Sequence, residues 1–121
     1  MMRLVEQIKA SLVELHGCES RQEFIDSQEI GNCQFIATAI ADDFPQATRV
    51  FGEIEVDHPS TDEDGEENYL FAHHWIEIDG QILDFSKGTL KDYIDWEDLY
   101  DVEPNEELRR YNGFFDRAAG L

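Results

Sequence analysis

A chain of 121 residues with 41% hydrophobic residues, eight Phe, four Tyr and two Trp can bury a core of its own as one domain and is too apolar for general disorder. Its 28 acidic and 9 basic residues give a formal net charge of −19, which opposes direct binding to nucleic acids and anionic membranes. No apolar run approaches the length of a membrane span, and the charged, helical N-terminal segment does not have the pattern of a signal peptide. We therefore expect a single cytoplasmic domain over residues 1–121.

The acidic charge admits three interpretations. A solvated, highly soluble surface is the most ordinary and ranks first. A mimic of the DNA phosphate backbone, which would occupy a DNA-binding protein, is the second. Adaptation to high salt is the third, and the many Phe and Ile residues do not favour it.

The first half of the chain has the apolar spacing of three helices. The first pattern stops at Gly17 and has its apolar positions at Leu4, Ile8, Leu12 and Leu15. Ser20 and Glu23 form a capping-box pattern, which predicts a short second helix. A third helix begins at Cys33 and stops before Pro45. Its small side chains favour close packing, so we expect it to be buried at the centre of the fold.

The middle of the chain has the pattern of strands. Residues 48–56 alternate between apolar and polar side chains, and residues 57–68 form an acidic loop. Residues 69–79 and 81–85 predict a hairpin, with an Asp-Gly pair as the signal for a two-residue turn. These strands predict a small antiparallel sheet.

The C-terminal third predicts more helix. The apolar residues between Leu90 and Tyr100 suggest a helical turn or two, and Pro104 followed by Asn-Glu-Glu-Leu predicts a last helix that reaches Tyr111 or beyond. The complete pattern predicts an α+β fold. In this fold a central Cys-bearing helix packs on the small antiparallel sheet, and N- and C-terminal helices flank the core.

The two-residue turn sets the pairing within the hairpin. It places Trp75 opposite Asp84, and directly opposed residues share a face of the sheet. Asp84 is then the diagonal neighbour of His73, within side-chain reach, whereas His74 lies on the opposite face. A slip of one residue in the pairing would place His74, instead of His73, on the face of Asp84. The choice of His73 therefore depends on the turn.

Cys33, His73 and Asp84 occur in the order and settings that a thiol nucleophile requires. A helix start favours the thiolate, a histidine accepts the proton, and a carboxylate holds that histidine in the useful tautomer. Each of these residues alone is weak evidence for catalysis. A cysteine on an apolar helix face, for example, is usually a small core residue. The spacing lacks metal-ligand motifs such as Cys-x-x-Cys, so we expect no metal and no cofactor. Cys18 and Cys33 do not form a disulfide framework in a chain without a secretory signal.

Three segments together resemble the transglutaminase-like branch of the papain-like cysteine hydrolase superfamily. They are Gly31–Cys33 opening an Ala-rich helix, His73–Glu77 on a strand, and Asp84 after a tight turn. The resemblance covers roughly residues 31–86, and in that family the histidine is the one two residues before the tryptophan. A local likeness of Gly31–Phe35 to ovarian-tumour-type deubiquitinases is a minor alternative, since that family has Asp where this chain has Ile30.

The resemblance implies a catalytic triad of Cys33, His73 and Asp84. We expect this triad to hydrolyse an amide or peptide bond through a thioester, and transfer of the acyl group to an amine remains an open alternative. The backbone N–H of Cys33 and a side chain of Gln28 or Asn32 would bind the oxyanion, and Trp75 would shield the site from water. The expected substrate is a peptide or protein, and the acidic charge suits a basic one. The rival hypothesis is a non-catalytic acidic binding protein on the same scaffold, a DNA mimic or inhibitor of the kind that phages carry.

Overall fold

The computed structural model describes residues 2–29, 31–95, 102, 104–105 and 108–118. Within these residues the chain is α+β, with three α-helices and a four-stranded antiparallel sheet. The helices are α1 (Met2–Leu15), α2 (Arg21–Asp26) and α3 (Asn32–Asp43). The strands are β1 (Ala47–Thr61), β2 (Glu67–Ile78), β3 (Gln81–Leu83) and β4 (Tyr111–Ala118), arranged in the order β3-β2-β1-β4. None of the helices described is long and apolar enough to cross a membrane.

Local capping explains where α2 and α3 begin. The Ser20 side chain accepts a hydrogen bond from the backbone N–H of Glu23 at 3.1 Å, which confirms the predicted cap. The Glu23 carboxylate in turn accepts from the N–H of Glu19. Gly31 precedes α3 with a φ of +100°, a backbone conformation that side chains with a Cβ rarely adopt. This conformation favours glycine at the start of α3.

The sheet separates two clusters of buried side chains. One face packs against the helices through Ile76, Ile78 and Leu83, together with the apolar positions of α1 and α3. The opposite face carries Val50, Ile54, Trp75 and Ile82, which pack with Leu90, Ile94 and Tyr111. Because β2 contributes to both clusters, its successive side chains are buried on alternating sides.

The hairpin has the predicted register. Asp79 and Gly80 have φ values of 54° and 76°, as a two-residue hairpin turn requires. Ile78 pairs with Gln81, and Glu77 pairs with Ile82. The last pair before the strands separate joins Ile76 to Leu83. The alternation that places His73 on the face of Trp75 is therefore confirmed.

The predicted C-terminal helix is wrong for the residues that the structure describes there. Leu108–Arg110 form a 3₁₀ turn, and Tyr111–Ala118 form strand β4, which pairs with β1. The polar Asn-Glu-Glu-Leu segment has a helix-start pattern, but the aromatic residues that follow favour a strand. The free edge of β1 offers main-chain hydrogen bonds to that strand. Residues 106–107 and 96–101, which carried part of the helical prediction, lie outside the described residues, and Lys87–Leu90 form a 3₁₀ turn.

The acidic loop is also shorter than predicted. β1 continues to Thr61 and β2 begins at Glu67, with an irregularity in their pairing between Glu55 and Ser60. The backbone N–H groups of Asp57 and His58 instead donate to the carbonyl of Tyr93. Much of the predicted loop is therefore a long two-stranded extension of the sheet, ended by a turn at residues 62–66.

Candidate active site

The first turn of α3 places Cys33 beside β2. Gly31 is the N-cap and Cys33 is the second helical residue, so its own N–H is among the groups that lack a partner within the helix. The residue is 8% exposed. Its sulfur interacts with the ring of His73 and with the backbone N–H of His74. Two residues of one strand therefore meet the thiol, one through its side chain and one through its main chain.

The early end of β3 makes the main-chain contact possible. β3 pairs with β2 only as far as Ile76, so the backbone groups of His74 on the same edge do not meet a strand partner. The carbonyl of His74 accepts a hydrogen bond from the Ser86 hydroxyl at 2.6 Å. Its N–H is then left for the Cys33 sulfur. The sheet edge thus supplies a donor to the thiol at the position where the hairpin opens.

His73 and Asp84 form a buried pair on the opposite face of β2 from His74. Nε2 of His73 lies 2.8 Å from Oδ2 of Asp84, and the two side chains are 0% and 2% exposed. This contact confirms the diagonal neighbours expected from the register. His74 instead stacks on Phe51, with 4.5 Å between the ring centroids.

Asp84 receives several hydrogen bonds besides that of His73. Its Oδ2 also accepts from the hydroxyl of Tyr111 at 2.8 Å, and its Oδ1 accepts from the backbone N–H of Ser86 at 2.8 Å. The Ser86 hydroxyl lies 2.9 Å from Oδ1 as well as 2.6 Å from the His74 carbonyl. Since a hydroxyl has one proton, it can donate to only one of these two acceptors at a time. The buried carboxylate is therefore held at both oxygens, as a buried charge requires.

The charges of this group reinforce one another. Burial works against the charged form of His73, but the charge and hydrogen bond of Asp84 outweigh it and raise the pKa of His73 to about 9. Burial likewise raises the pKa of Asp84, yet the His73 charge, with smaller contributions from Lys87 and the Ser86 N–H, lowers it to about 2. At neutral pH the pair is an imidazolium and a carboxylate.

The Cys33 thiol responds to the same imidazolium. Burial is the largest single influence and raises its pKa, but the hydrogen bond and charge of His73 and the N–H of His74 together lower the pKa below its ordinary value. Nε2 of His73 is used by Asp84, so Nδ1 is the ring nitrogen that can serve the sulfur. Nδ1 is buried and makes no hydrogen bond of ordinary geometry. Such contacts in enzymes without substrate are often long and tighten when the substrate binds.

His74 lacks these features. Burial and the positive charges of Arg49 and His73 lower the pKa of His74 to about 4, so its ring is neutral at pH 7. Its position on the helix side of the sheet separates it from Asp84. Of the two adjacent histidines, only His73 joins the sulfur to a carboxylate.

The three remaining predicted site residues have different surroundings. Trp75 is buried, its ring lies 6.2 Å from that of His73, and it encloses the His73–Asp84 pair together with Tyr111. Gln28 is buried, and its Nε2 donates to the carbonyl of Phe24 at 3.0 Å. Asn32 is exposed, and its Oδ1 accepts from the N–H of Glu29 at 2.8 Å. The structure therefore joins Trp75 to the site, whereas the contacts of Gln28 and Asn32 are with the chain that precedes α3.

Tyr111 and Ser86 are the site residues that the sequence analysis missed. Continued past Trp75 and Asp84, the predicted hairpin pairing places Ser86 opposite His73, which is a usable signal for its contact with Asp84. Tyr111 carried no such signal, because it was assigned to the end of a helix. Its contact depends on the pairing of β4 with β1, which joins Tyr111 to Ile54.

The titration of His73 predicts a pH dependence of folding stability. Since the pKa of His73 rises from 6.5 to about 9 on folding, its contribution is fully present below pH 6.5 and is lost as the pH rises through 9. The lowered pKa of Cys33 acts in the opposite direction, so Cys33→Ala isolates the histidine. We expect the free energy of unfolding of Cys33→Ala, measured by urea denaturation, to fall between pH 6.5 and 9. The matched variant Cys33→Ala with His73→Gln should lack this fall, and an equal fall in both would contradict the assignment.

Comparisons of the chain with protein-family models, with curated protein sequences and with solved structures gave no match. Among the described residues, no group of three or more His, Cys, Asp or Glu side chains is arranged so that it could hold a metal ion.

Proposed function

We propose that this protein is a cysteine-dependent acyl-transfer enzyme that hydrolyses an amide or peptide bond through a thioester. The supporting observation is that His73 lies between the two other groups: its ring lowers the pKa of the Cys33 thiol, and its Nε2 lies 2.8 Å from Oδ2 of Asp84. These three groups come from α3, from β2 and from the segment after β3. A Cys-bearing helix packed against such a hairpin is consistent with a core of the transglutaminase-like, papain-like type.

The first half of the proposed reaction forms the acyl-enzyme. The Cys33 thiolate attacks the carbonyl carbon of the substrate, and a C–S bond forms as the carbonyl oxygen becomes an oxyanion. The N–H of Cys33, in the first turn of α3, is the main-chain donor for that oxyanion. The His73 imidazolium then protonates the leaving amine as the C–N bond breaks. Asp84 holds the ring and stabilises its positive charge throughout.

The second half releases the product. His73, now neutral, accepts a proton from water, and the water oxygen attacks the thioester carbon. The C–S bond breaks, the carboxylic acid leaves, and the thiolate–imidazolium pair is restored. An amine in place of water would give acyl transfer by the same steps.

The two candidate side-chain donors for the oxyanion, Gln28 and Asn32, differ in whether their amide nitrogen is already engaged. The Gln28 amide nitrogen would have to leave the Phe24 carbonyl to reach a substrate. Asn32 uses its oxygen, not its amide nitrogen, in the turn before α3. We therefore assign the second donor to Asn32 rather than Gln28. Trp75 has the role of excluding water from the His73–Asp84 pair.

The substrate follows from charge alone. With a net charge of −19, the protein attracts cationic molecules and repels anionic ones over a Debye length. We propose a basic peptide or protein as the acyl donor, in the cytoplasm.

Selective alkylation tests the proposed nucleophile. We expect iodoacetamide at pH 7 to alkylate Cys33 at least about tenfold faster than Cys18, because thiolate content controls the reaction and the His73 imidazolium favours the thiolate. Cys18 is more exposed, and its thiol donates a hydrogen bond to the carbonyl of His16. Peptide mapping by mass spectrometry gives both rates in one sample. Equal and slow labelling of the two cysteines would refute the proposal.

A non-catalytic acidic binding protein is the second candidate. It is favoured by the exposed carboxylates at the tip of the β1–β2 extension, namely Asp62, Glu63, Asp64, Glu66 and Glu67. A mimic of DNA would present such charges to a DNA-binding protein. Slow labelling of Cys33, together with salt-sensitive capture of a DNA-binding protein, would support this candidate over the enzyme.

A further inference from the structure

The position of Tyr111 is fixed by the preceding residue, Arg110. It is the first residue of β4, and it follows Arg110, which is 1% exposed. The Arg110 guanidinium donates to the carbonyl of Glu55 at 3.0 Å and to Oδ1 of Asp57 at 2.7 Å. A buried, charge-assisted anchor of this kind sets the point at which the C-terminal strand joins β1.

The Tyr111 hydroxyl contacts the same carboxylate oxygen as the catalytic histidine. It lies 2.8 Å from Oδ2 of Asp84, which is also 2.8 Å from Nε2 of His73. The carboxylate is ionised at neutral pH and has no proton to offer, so the tyrosine must be the donor. The ring is 7% exposed and meets Trp75 edge to face at 4.9 Å. The hydroxyl therefore has a fixed direction.

We propose that Tyr111 is a positioning residue for the acyl-transfer site, and that it directs Oδ2 of Asp84 toward His73 and takes up part of its negative charge. This inference rests on the proposed function. Ser86 holds only Oδ1, and its hydroxyl is shared with the His74 carbonyl. Without the Tyr111 hydroxyl, Oδ2 would accept a hydrogen bond only from the His73 ring. The carboxylate could then rotate about the hydrogen bonds that hold Oδ1 to Ser86.

The expected consequence concerns the step in which His73 must be neutral. A carboxylate that loses a hydrogen-bond donor interacts more strongly with the imidazolium, and this raises the pKa of His73. Less of the ring is then neutral at a given pH, so hydrolysis of the thioester slows and its pH profile moves upward. Among the described residues, the other titratable groups around the pair are Cys33 on α3, His74 on β2 and Lys87 after β3. All three are unchanged by a substitution at Tyr111.

The test uses Tyr111→Phe, which keeps the ring and removes only the hydroxyl. Tyr93→Phe is the matched control, since Tyr93 packs against the same buried cluster but does not contact Asp84. The protein is acetylated at Cys33 with p-nitrophenyl acetate, and loss of the acetyl group is followed by mass spectrometry from pH 5 to 10. An NMR titration of the His73 ring is recorded for each variant.

We expect Tyr111→Phe to hydrolyse the thioester about tenfold more slowly at pH 7, the effect of losing one hydrogen bond to a charged group. Its pH midpoint and the His73 titration should both move to higher pH, while Tyr93→Phe matches the wild type. In an Asp84→Asn background, Tyr111→Phe should no longer move the His73 titration.

Unchanged deacylation and an unchanged His73 titration in folded Tyr111→Phe would overturn the inference. Failure of the proposed function has a different signature, because wild-type Cys33 would then not be acetylated faster than Cys18. In that case the titration still reports whether Tyr111 acts on the His73–Asp84 pair.

Discussion

Replacement of His73 by alanine is expected to lower the rate at which iodoacetamide alkylates Cys33 at pH 7 by about a hundredfold, because the thiolate is the reactive form and its fraction falls about tenfold for each ~1.4 kcal/mol of lost stabilisation. The thiol is buried, and burial alone raises its pKa. The nearby His73 ring opposes this effect and, together with the His74 N–H, lowers the pKa of Cys33 below its ordinary value. Without the ring, only the His74 N–H opposes burial, so the pKa of Cys33 should rise and the thiolate should become scarce.

His74→Ala is the matched control for this experiment. It removes the adjacent imidazole, which stacks on Phe51 on the other side of the sheet, and it keeps the backbone N–H that meets the sulfur. Cys18 serves as an internal reference within each sample. We expect Cys33 in His74→Ala to react at nearly the wild-type rate. If both histidine variants slowed Cys33 equally, the loss would reflect general disturbance of β2, and His73 would have no special role.

Replacement of Asp84 by alanine is expected to lower the free energy of unfolding at pH 7 by about 3–5 kcal/mol, because it leaves an uncompensated charge in the interior. His73 is 0% exposed in its side chain and is protonated at this pH chiefly because Asp84 is present. The variant must either bury a lone imidazolium or release its proton. In addition, the Tyr111 hydroxyl and the Ser86 N–H lose their acceptor.

A second histidine–aspartate pair, with nearly the same distance between nitrogen and oxygen, provides a control. His58 and Asp95 lie 2.7 Å apart, but their side chains are 62% and 57% exposed. Asp95→Ala should therefore cost less than about 1 kcal/mol, as exposed ion pairs generally do. Urea denaturation of both variants at pH 7 gives the comparison. A loss for Asp84→Ala no larger than that for Asp95→Ala would mean that the buried pair does not stabilise the fold.

The part of the site that depends on local signals was predictable from the sequence. The Asp-Gly turn determined the pairing of β2 with β3, and the pairing determined which histidine faces Asp84. The start of α3 followed from the break at Gly31 and the apolar spacing after it. Each of these inferences uses residues that are close in sequence, where turn type and side-chain alternation leave few choices.

The part that depends on distant pairing was not predictable. The polar segment before Tyr111 has the pattern of a helix start, and nothing nearby indicates that the open edge of β1 lies within reach. Strand preference is decided by such partners more than by the residues themselves. The contact of Tyr111 with Asp84 joins residues 27 positions apart, and it could be found only after β4 was placed.

The short third strand has a consequence for any attempt to redesign this molecule. Extending the hairpin by two more pairs past Ile76 and Leu83, as far as His74 and Phe85, would offer the main-chain amide of His74 a carbonyl acceptor, and a carbonyl competes better for that proton than a sulfur does. The longer hairpin would gain regularity and take from the thiol one of the two donors that favour its ionised form. On the proposed function, the ionised form of Cys33 depends on the incomplete pairing of β3 with β2, so a stabilising insertion at residues 84–86 should be tested first for its effect on the alkylation rate of Cys33.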